Sequence, residues 1–240
     1  MTVNWNAQAY DALPLPHEEW GHGVIDGLTL SGDETLVDAG CGSGRDAQRA
    51  LAHLPAGRII GLDASESMRA AFEDRFIDVP EAEVREADLM DVWPVDGGSA
   101  DAVMSVAAFH WLDRHDLAWA QVARVLRPGG RVRIDAGGQG NLTRLLCAVD
   151  QVGATGLLPT WHYAGVDETL EHLRSVGLTP IEVRLRRAPA YFADDATYAR
   201  YLADVVLHHL TDDQRAQVAD IMGDRCVDYV RLEVAAKKPR

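Results

Sequence analysis

Thiols are scarce in this chain. Its three cysteines, Cys41, Cys147 and Cys226, are odd in number, far apart and free of any Cys-x-x-Cys spacing. That excludes a disulfide framework and a thiolate zinc cage, and no metal site is expected. Positive charge is also short: 23 Lys and Arg stand against 37 Asp and Glu, a formal net charge of -14. A nucleic-acid partner needs a basic stripe. Arg184, Arg186 and Arg187 instead alternate as on a solvated strand face, and Lys237, Lys238 and Arg240 merely end the chain. Long apolar runs are missing, since none approaches the roughly 18 residues that cross a bilayer. The stretch from Met1 to Tyr10 lacks the apolar core of a signal peptide. The expectation is a cytoplasmic protein, monomer or homodimer, with neither a membrane nor a nucleic-acid partner. His17-Glu18-Glu19 and His208-His209 are poor metal ligands, because neighbouring side chains diverge.

What is present suffices for a sizeable core, with 47% of 240 residues apolar. Thr35–Ala39, Arg58–Leu62, Glu83–Ala87, Asp101–Val106 and Arg131–Asp135 read as short strands. Between them lie three stripes at helical period: Ala47, Ala50, Leu51 and Leu54; Met68, Ala71, Phe72 and Phe76; Trp119, Val122, Ala123 and Leu126. Repeated strand, helix, strand predicts parallel crossovers with helices on both faces of one sheet. Arg127-Pro128-Gly129-Gly130 suits a turn with a positive φ at Gly129, leading into the fifth strand. Beyond it, Asn141 is expected to cap a helix, and Asp167 to begin another that Gly177 ends. Pro180–Arg187 and Asp228–Ala236 read as strands. Two helices lie between them, the second opening on a capping box, Thr211 with Gln214. The chain reads as one domain over 1–240, with lid helices over 1–30, a ligand-binding core over 33–136 and a substrate side over 141–227. Helices at about 191–226 would roof the pocket, with Tyr198, Tyr201, Leu202 and Val205 on one face.

The densest motif is Val37-Asp38-Ala39-Gly40-Cys41-Gly42-Ser43-Gly44, between the first strand and a helix. Glycines at alternate positions remove the side chains that would hold a ligand away from the backbone. In an open parallel sheet, that crevice is where ligands sit. Asp63 ends the next strand and is suited to a ribose, or else to capping the helix that starts near Ser65. A dinucleotide would bring a pyrophosphate, which favours helix-terminal amides and few anions. Asp38, Asp63 and Asp88 at successive strand ends suit a cationic ligand instead. The Gly-x-Gly-x-x-Gly spacing of nicotinamide enzymes also fails, because residue 45 is Arg.

Residues 33 to 135 resemble the class I S-adenosylmethionine-dependent methyltransferases, especially the small-molecule group with trans-aconitate and juvenile-hormone-acid methyltransferases. The matching pieces are Val37–Gly44, Gly61-Leu62-Asp63-Ala64-Ser65-Glu66-Ser67-Met68, Glu86-Ala87-Asp88-Leu89, Phe109-His110-Trp111-Leu112 and Val125-Leu126-Arg127-Pro128-Gly129-Gly130. Trp5-Asn6 with Tyr10, and the final Arg231–Pro239, are also similar to that group. The resemblance implies a Rossmann-like, doubly wound, mostly parallel seven-stranded α/β sheet whose last strand is antiparallel, with a helical cap. It implies S-adenosylmethionine as cofactor and S-adenosylhomocysteine as product. Gly40, Cys41, Gly42 and Gly44 would border the methionine portion, with Asp38 favouring its ammonium. Asp63 and Ala64 would meet the ribose, with Met68 on the adenine side. Ala87, Asp88 and Leu89 would meet the adenine edge, and Ser105, Val106 and Ala107 would line the donor channel.

On the acceptor side, the resemblance makes Trp111 a pocket wall. His110 is a substrate contact or catalytic base, or alternatively a helix-capping histidine. Trp5 and Tyr10 would sit on the N-terminal lid. Trp161, His162 and Tyr163 form a further aromatic cluster. The scattered arginines reveal no carboxylate clamp. The expected reaction is O-methylation of a small organic acid or related metabolite. The alternatives are C- or N-methylation in a secondary-metabolite pathway, and a non-catalytic protein that binds the cofactor.

Overall fold

A computed structural model describes residues 17–240. Helix α1 (His17–Leu28) is followed by β1 (Thr35–Ala39), α2 (Arg45–Leu51), β2 (Arg58–Asp63), α3 (Glu66–Arg75) and β3 (Ala82–Glu86). Then come β4 (Ala100–Val106), α4 (His115–Val125), β5 (Leu126–Gly137), α5 (Thr143–Gln151), α6 (Val166–Ser175) and β6 (Thr179–Arg187). The chain ends with β7 (Ala190–Tyr191), α7 (Asp195–Tyr201), α8 (Asp212–Met222), β8 (Cys226–Val227) and β9 (Val230–Lys237). Seven strands pair in the order β3-β2-β1-β4-β5-β9-β6, and β9 runs antiparallel to both neighbours. The doubly wound sheet expected from the sequence is therefore present, and β7 and β8 add a separate two-stranded ladder. Among the described residues, no helix is long and apolar enough to cross a membrane.

Alternation along the strands explains the two layers. Leu36, Ile59, Ala102 and Met104 face α1, α2 and α3, whereas their neighbours Val37, Ile60 and Val103 face α4 and α6. All seven are buried, as a sheet covered on both sides requires. A third cluster joins α5, α7, α8 and Tyr229 into the cap. Trp20 reaches that cluster from α1, but Val24, Ile25 and Leu28 lie in the main core. Residues 17–28 thus form a core helix, which corrects that part of the lid expectation.

Two local readings hold and one fails. Gly129 has φ +82, as the Pro-Gly pair requires, and the Thr211–Gln214 capping box is complete. Asn141 does not cap α5: its Oδ1 accepts from the Val230 amide at 2.8 Å. The first amides of α5 are satisfied instead by Asp228, whose carboxylate accepts from Arg144 and Leu145 at 2.7 and 3.3 Å. A residue far along the chain, in the link between β8 and β9, outcompetes the local cap because the chain folds back there against the start of α5.

Glu34 anchors the loop before β1. It accepts from the Ser31 and Gly32 amides and pairs with Arg131 at 2.5 Å. Burial raises its pKa, but these hydrogen bonds outweigh that and hold it at about 2. The stabilisation is complete above the unfolded value near 4.5, declines as pH falls below it, and vanishes near 2. Glu34→Gln should therefore lower unfolding stability by about 1–3 kcal/mol at neutral pH. In urea titrations, the gap between the two proteins should close as pH falls through that window.

Candidate active site

At the carboxyl ends of β1, β2 and β4 lies a cavity of about 640 Å³. One half is built from the glycine loop and the acids. Gly40, Gly42 and Gly44 have φ of 78, 53 and 83°, a left-handed region that strains other residues. The Gly40 and Cys41 amides donate to the Leu62 carbonyl at 2.8 and 3.0 Å, which folds the loop against β2. Asp63 completes the clasp: one carboxylate oxygen accepts from the Gly42 amide and the other from Ser65, both at 2.9 Å. Ser65 caps α3, so Asp63 serves loop and helix together. Burial nevertheless raises the Asp63 pKa.

Asp38 sits behind the loop, 2% exposed, with Oδ2 unpartnered. Burial first, then Asp46 and Asp63, push its pKa well above the usual range. Two buried carboxyls of like sign form an electrostatic deficit that a positively charged ligand relieves. Asp88 borders the cavity, with its Oδ1 accepting from the Met90 amide at 2.9 Å. Ala64, Met68, Ala87, Leu89 and Val106 supply apolar walls beside it. Ala107, at φ +55, donates its amide to the Asp135 carbonyl and carries the wall round to the other half.

Four expected cofactor contacts need correction. Ser105 is fully buried, and its hydroxyl donates to the Ala39 carbonyl at 2.6 Å, tying β4 to β1. It does not border the cavity. Cys41 is also buried, with its Sγ against Gly61 of β2, where a Cβ would lie 2.8 Å away. Gly44 leaves room for Phe72 and Phe76, each 2.7 Å from where its Cβ would stand. It serves helix packing, whereas Gly40 and Gly42 do line the cavity. Asp38 acts from the second layer, without reaching the surface of the cavity.

The other half is aromatic. His110 and Trp111 lie in a short 3-10 turn after β4, and both line the cavity. Trp161 meets Trp111 edge-on at 5.7 Å between centroids and stacks on Tyr163 at 6.1 Å. The Gly137 amide donates to His110 Nδ1 at 3.3 Å, so the neutral ring carries its proton on Nε2. From the expected roof only Val205 and Val206 reach the cavity, from a π-helical turn that continues α7. The segment Leu158–Tyr163 covers more of it. Trp5 and Tyr10 lie outside the described residues.

The sequence reading missed Arg231. It lies on β9, 1% exposed, and borders the cavity. Its guanidinium pairs with Asp135 at 2.6 Å and stacks over Trp20, 3.6 Å from the ring centroid. Asn141 and Tyr229 stand beside it on the cavity wall. The available signal was an arginine between Val230 and Leu232 near the start of a largely apolar strand.

Residues 37–134 match the family model described as a methyltransferase domain. The chain is 29% identical over 127 residues to a trans-aconitate 2-methyltransferase of Acidovorax sp., covering 53% of this chain and 47% of that protein. It is 28% identical over 189 residues to a malonyl-[acyl-carrier protein] O-methyltransferase of Methylococcus capsulatus, covering 75% and 65%. The chain therefore spans about half to two thirds of the length of these relatives. A geranyl diphosphate C-methyltransferase from Streptomyces coelicolor, solved with S-adenosylhomocysteine, shares the fold at a TM-score of 0.61 and 21% identity, covering 92% of this chain and 79% of that one. The matched segment contains the glycine loop, all three acids and the His110-Trp111 turn. Arg231 and the Leu158–Tyr163 roof lie beyond it.

Gly44→Ala combines a positive φ with a clash against two phenylalanine rings. It should lower unfolding stability by about 1–3 kcal/mol in urea titrations.

Proposed function

We propose that this chain transfers a methyl group from S-adenosylmethionine to the carboxylate of a small organic acid, releasing S-adenosylhomocysteine. The observation that carries the reading is one cavity joining two unlike halves. Acids and glycines suited to a sulfonium nucleoside lie at one end, and a buried arginine with aromatic rings lies at the other.

The residues present fit the cofactor. Gly40 and Gly42 remove the side chains that would block its methionine portion, and the orphaned Asp38 oxygen favours the nearby ammonium. Asp63 lies where the ribose hydroxyls would be held, while Asp88 and the Leu89 amide would meet the adenine between Met68 and Leu89. When bound, the cofactor supplies an activated methyl group, so the protein's share is alignment and exclusion of water.

A carboxylate acceptor is already ionised at neutral pH and needs no base. Arg231 is suited to orient it, held rigid by Asp135 and Trp20. His110, protonated on Nε2, acts as a hydrogen-bond donor to the acceptor, not as a base. C- or N-methylation with His110 as base would need the other tautomer, which the Gly137 amide opposes.

Incubation with labelled S-adenosylmethionine and a panel of small di- and tricarboxylates should give base-labile methyl esters. Label only in C- or N-methyl products, or cofactor binding without transfer to any acceptor, would overturn the proposal. Asp63→Ala should weaken S-adenosylhomocysteine binding by about 1–3 kcal/mol in calorimetry, with the fold checked by circular dichroism. The double variant Arg231→Gln with Asp135→Asn keeps the pair neutral and hydrogen-bonded. It should raise the acid's KM about tenfold or more while leaving cofactor affinity unchanged.

A further inference from the structure

Outside the cavity, the fold gathers a set of donors that neither half uses. His115 opens α4 and is 4% exposed. His162 lies in the roof segment, its ring centroid 4.5 Å from that of His115. Its Nε2 meets Glu168 Oε1 at 2.6 Å, and His172, one turn further along α6, meets the same oxygen at 3.6 Å. Ligand atoms of His115, His162 and Glu168 all lie within 4.8 Å of one another.

We infer that His115, His162 and Glu168, with His172 as a fourth ligand, form a binding site for a zinc-class divalent cation. Three imidazoles and one carboxylate make a nitrogen-rich set, which suits zinc and its transition-metal neighbours but not magnesium or calcium. Zinc bonds of about 2.0–2.2 Å place tetrahedral ligands roughly 3.3–3.6 Å apart, so the atoms of His115, His162 and Glu168 must close by roughly 1–1.5 Å, and His172 must swing in from beside Glu168. His162 is carried by a loop and its side chain is only partly buried. Orientation is already provided for His115. Its Nε2 lies 2.9 Å from the Phe109 carbonyl, the outer partner that a ligating histidine commonly has. That contact keeps the proton on Nε2 and leaves the lone pair on Nδ1.

The site has a place in the architecture. The His162 amide donates to the His110 carbonyl at 3.0 Å, and its neighbours Trp161 and Tyr163 wall the cavity. A cation here would pin three segments together: the turn bearing His110 and Trp111, the roof, and α6. Its effect is to stiffen the acceptor wall from outside, without touching the reacting atoms. The inference does not depend on which acceptor the cavity takes.

The test is titration of chelator-treated full chain with zinc chloride alone, followed by calorimetry and by thermal unfolding. The expected result is one zinc per chain in the micromolar range or tighter, with a rise in unfolding temperature that magnesium does not reproduce. His162→Ala and Glu168→Gln, both at partly exposed positions, should each weaken binding tenfold or more. His53→Ala, at an exposed position away from the cluster, should leave it unchanged. No stoichiometric zinc binding by the parent chain overturns the proposal. So does equal zinc affinity in parent and His162→Ala, which would place the ion elsewhere, for instance at His208 and His209.

Discussion

The Asp63 carboxylate is the constraint on which this architecture turns. By accepting from Gly42 on one side and Ser65 on the other, it fixes the glycine loop relative to the start of α3. Arg69 then holds the Asp63 carbonyl and reaches Glu86 at the end of β3, extending the clasp to a third strand. Three strand ends are thereby locked into one concave surface. Asp63 lies on this surface with Asp38 buried behind it, and Asp46 and Asp63 both repel the Asp38 carboxylate. Burial makes that repulsion expensive and a cationic ligand correspondingly welcome.

The opposite end of the cavity follows a different logic. Its polar groups come from elements distant in sequence, and each is neutralised or oriented by a partner on a neighbouring element. Arg231 on β9 is matched by Asp135 on β5 and by Trp20 on α1. Asn141 reaches the Val230 amide, and Asp228 satisfies the opening amides of α5. The aromatic end is therefore assembled by the antiparallel return of β9, and the glycine-rich end by parallel crossovers. A Rossmann-like half is paired with a cap whose chemistry is set by how the chain folds back.

The donor half was legible in the sequence. Strand boundaries fell within a few residues, since alternation on a sheet covered from both sides leaves a strong apolar signature. The glycine loop, Asp63, Met68 and Asp88 arrived where their spacing implied. Three other expected contacts did not. Ser105, Cys41 and Gly44 look like ligand contacts in one dimension, yet each supports the wall from behind. Which side of a turn a residue faces depends on the strand it packs against, and that strand is not its neighbour in sequence.

The order of residues alone determined the fold class, the glycine crevice and its acidic character, because these rest on periodicities and turns a few residues long. Only the tertiary structure decided that Arg231 borders the cavity, that Asn141 holds a strand where a helix cap was expected, and that His115, His162 and Glu168 converge. Those arrangements join segments tens of residues apart. Nothing local encodes them, since a side chain's partner across a fold is chosen by packing and by the need to satisfy buried charge.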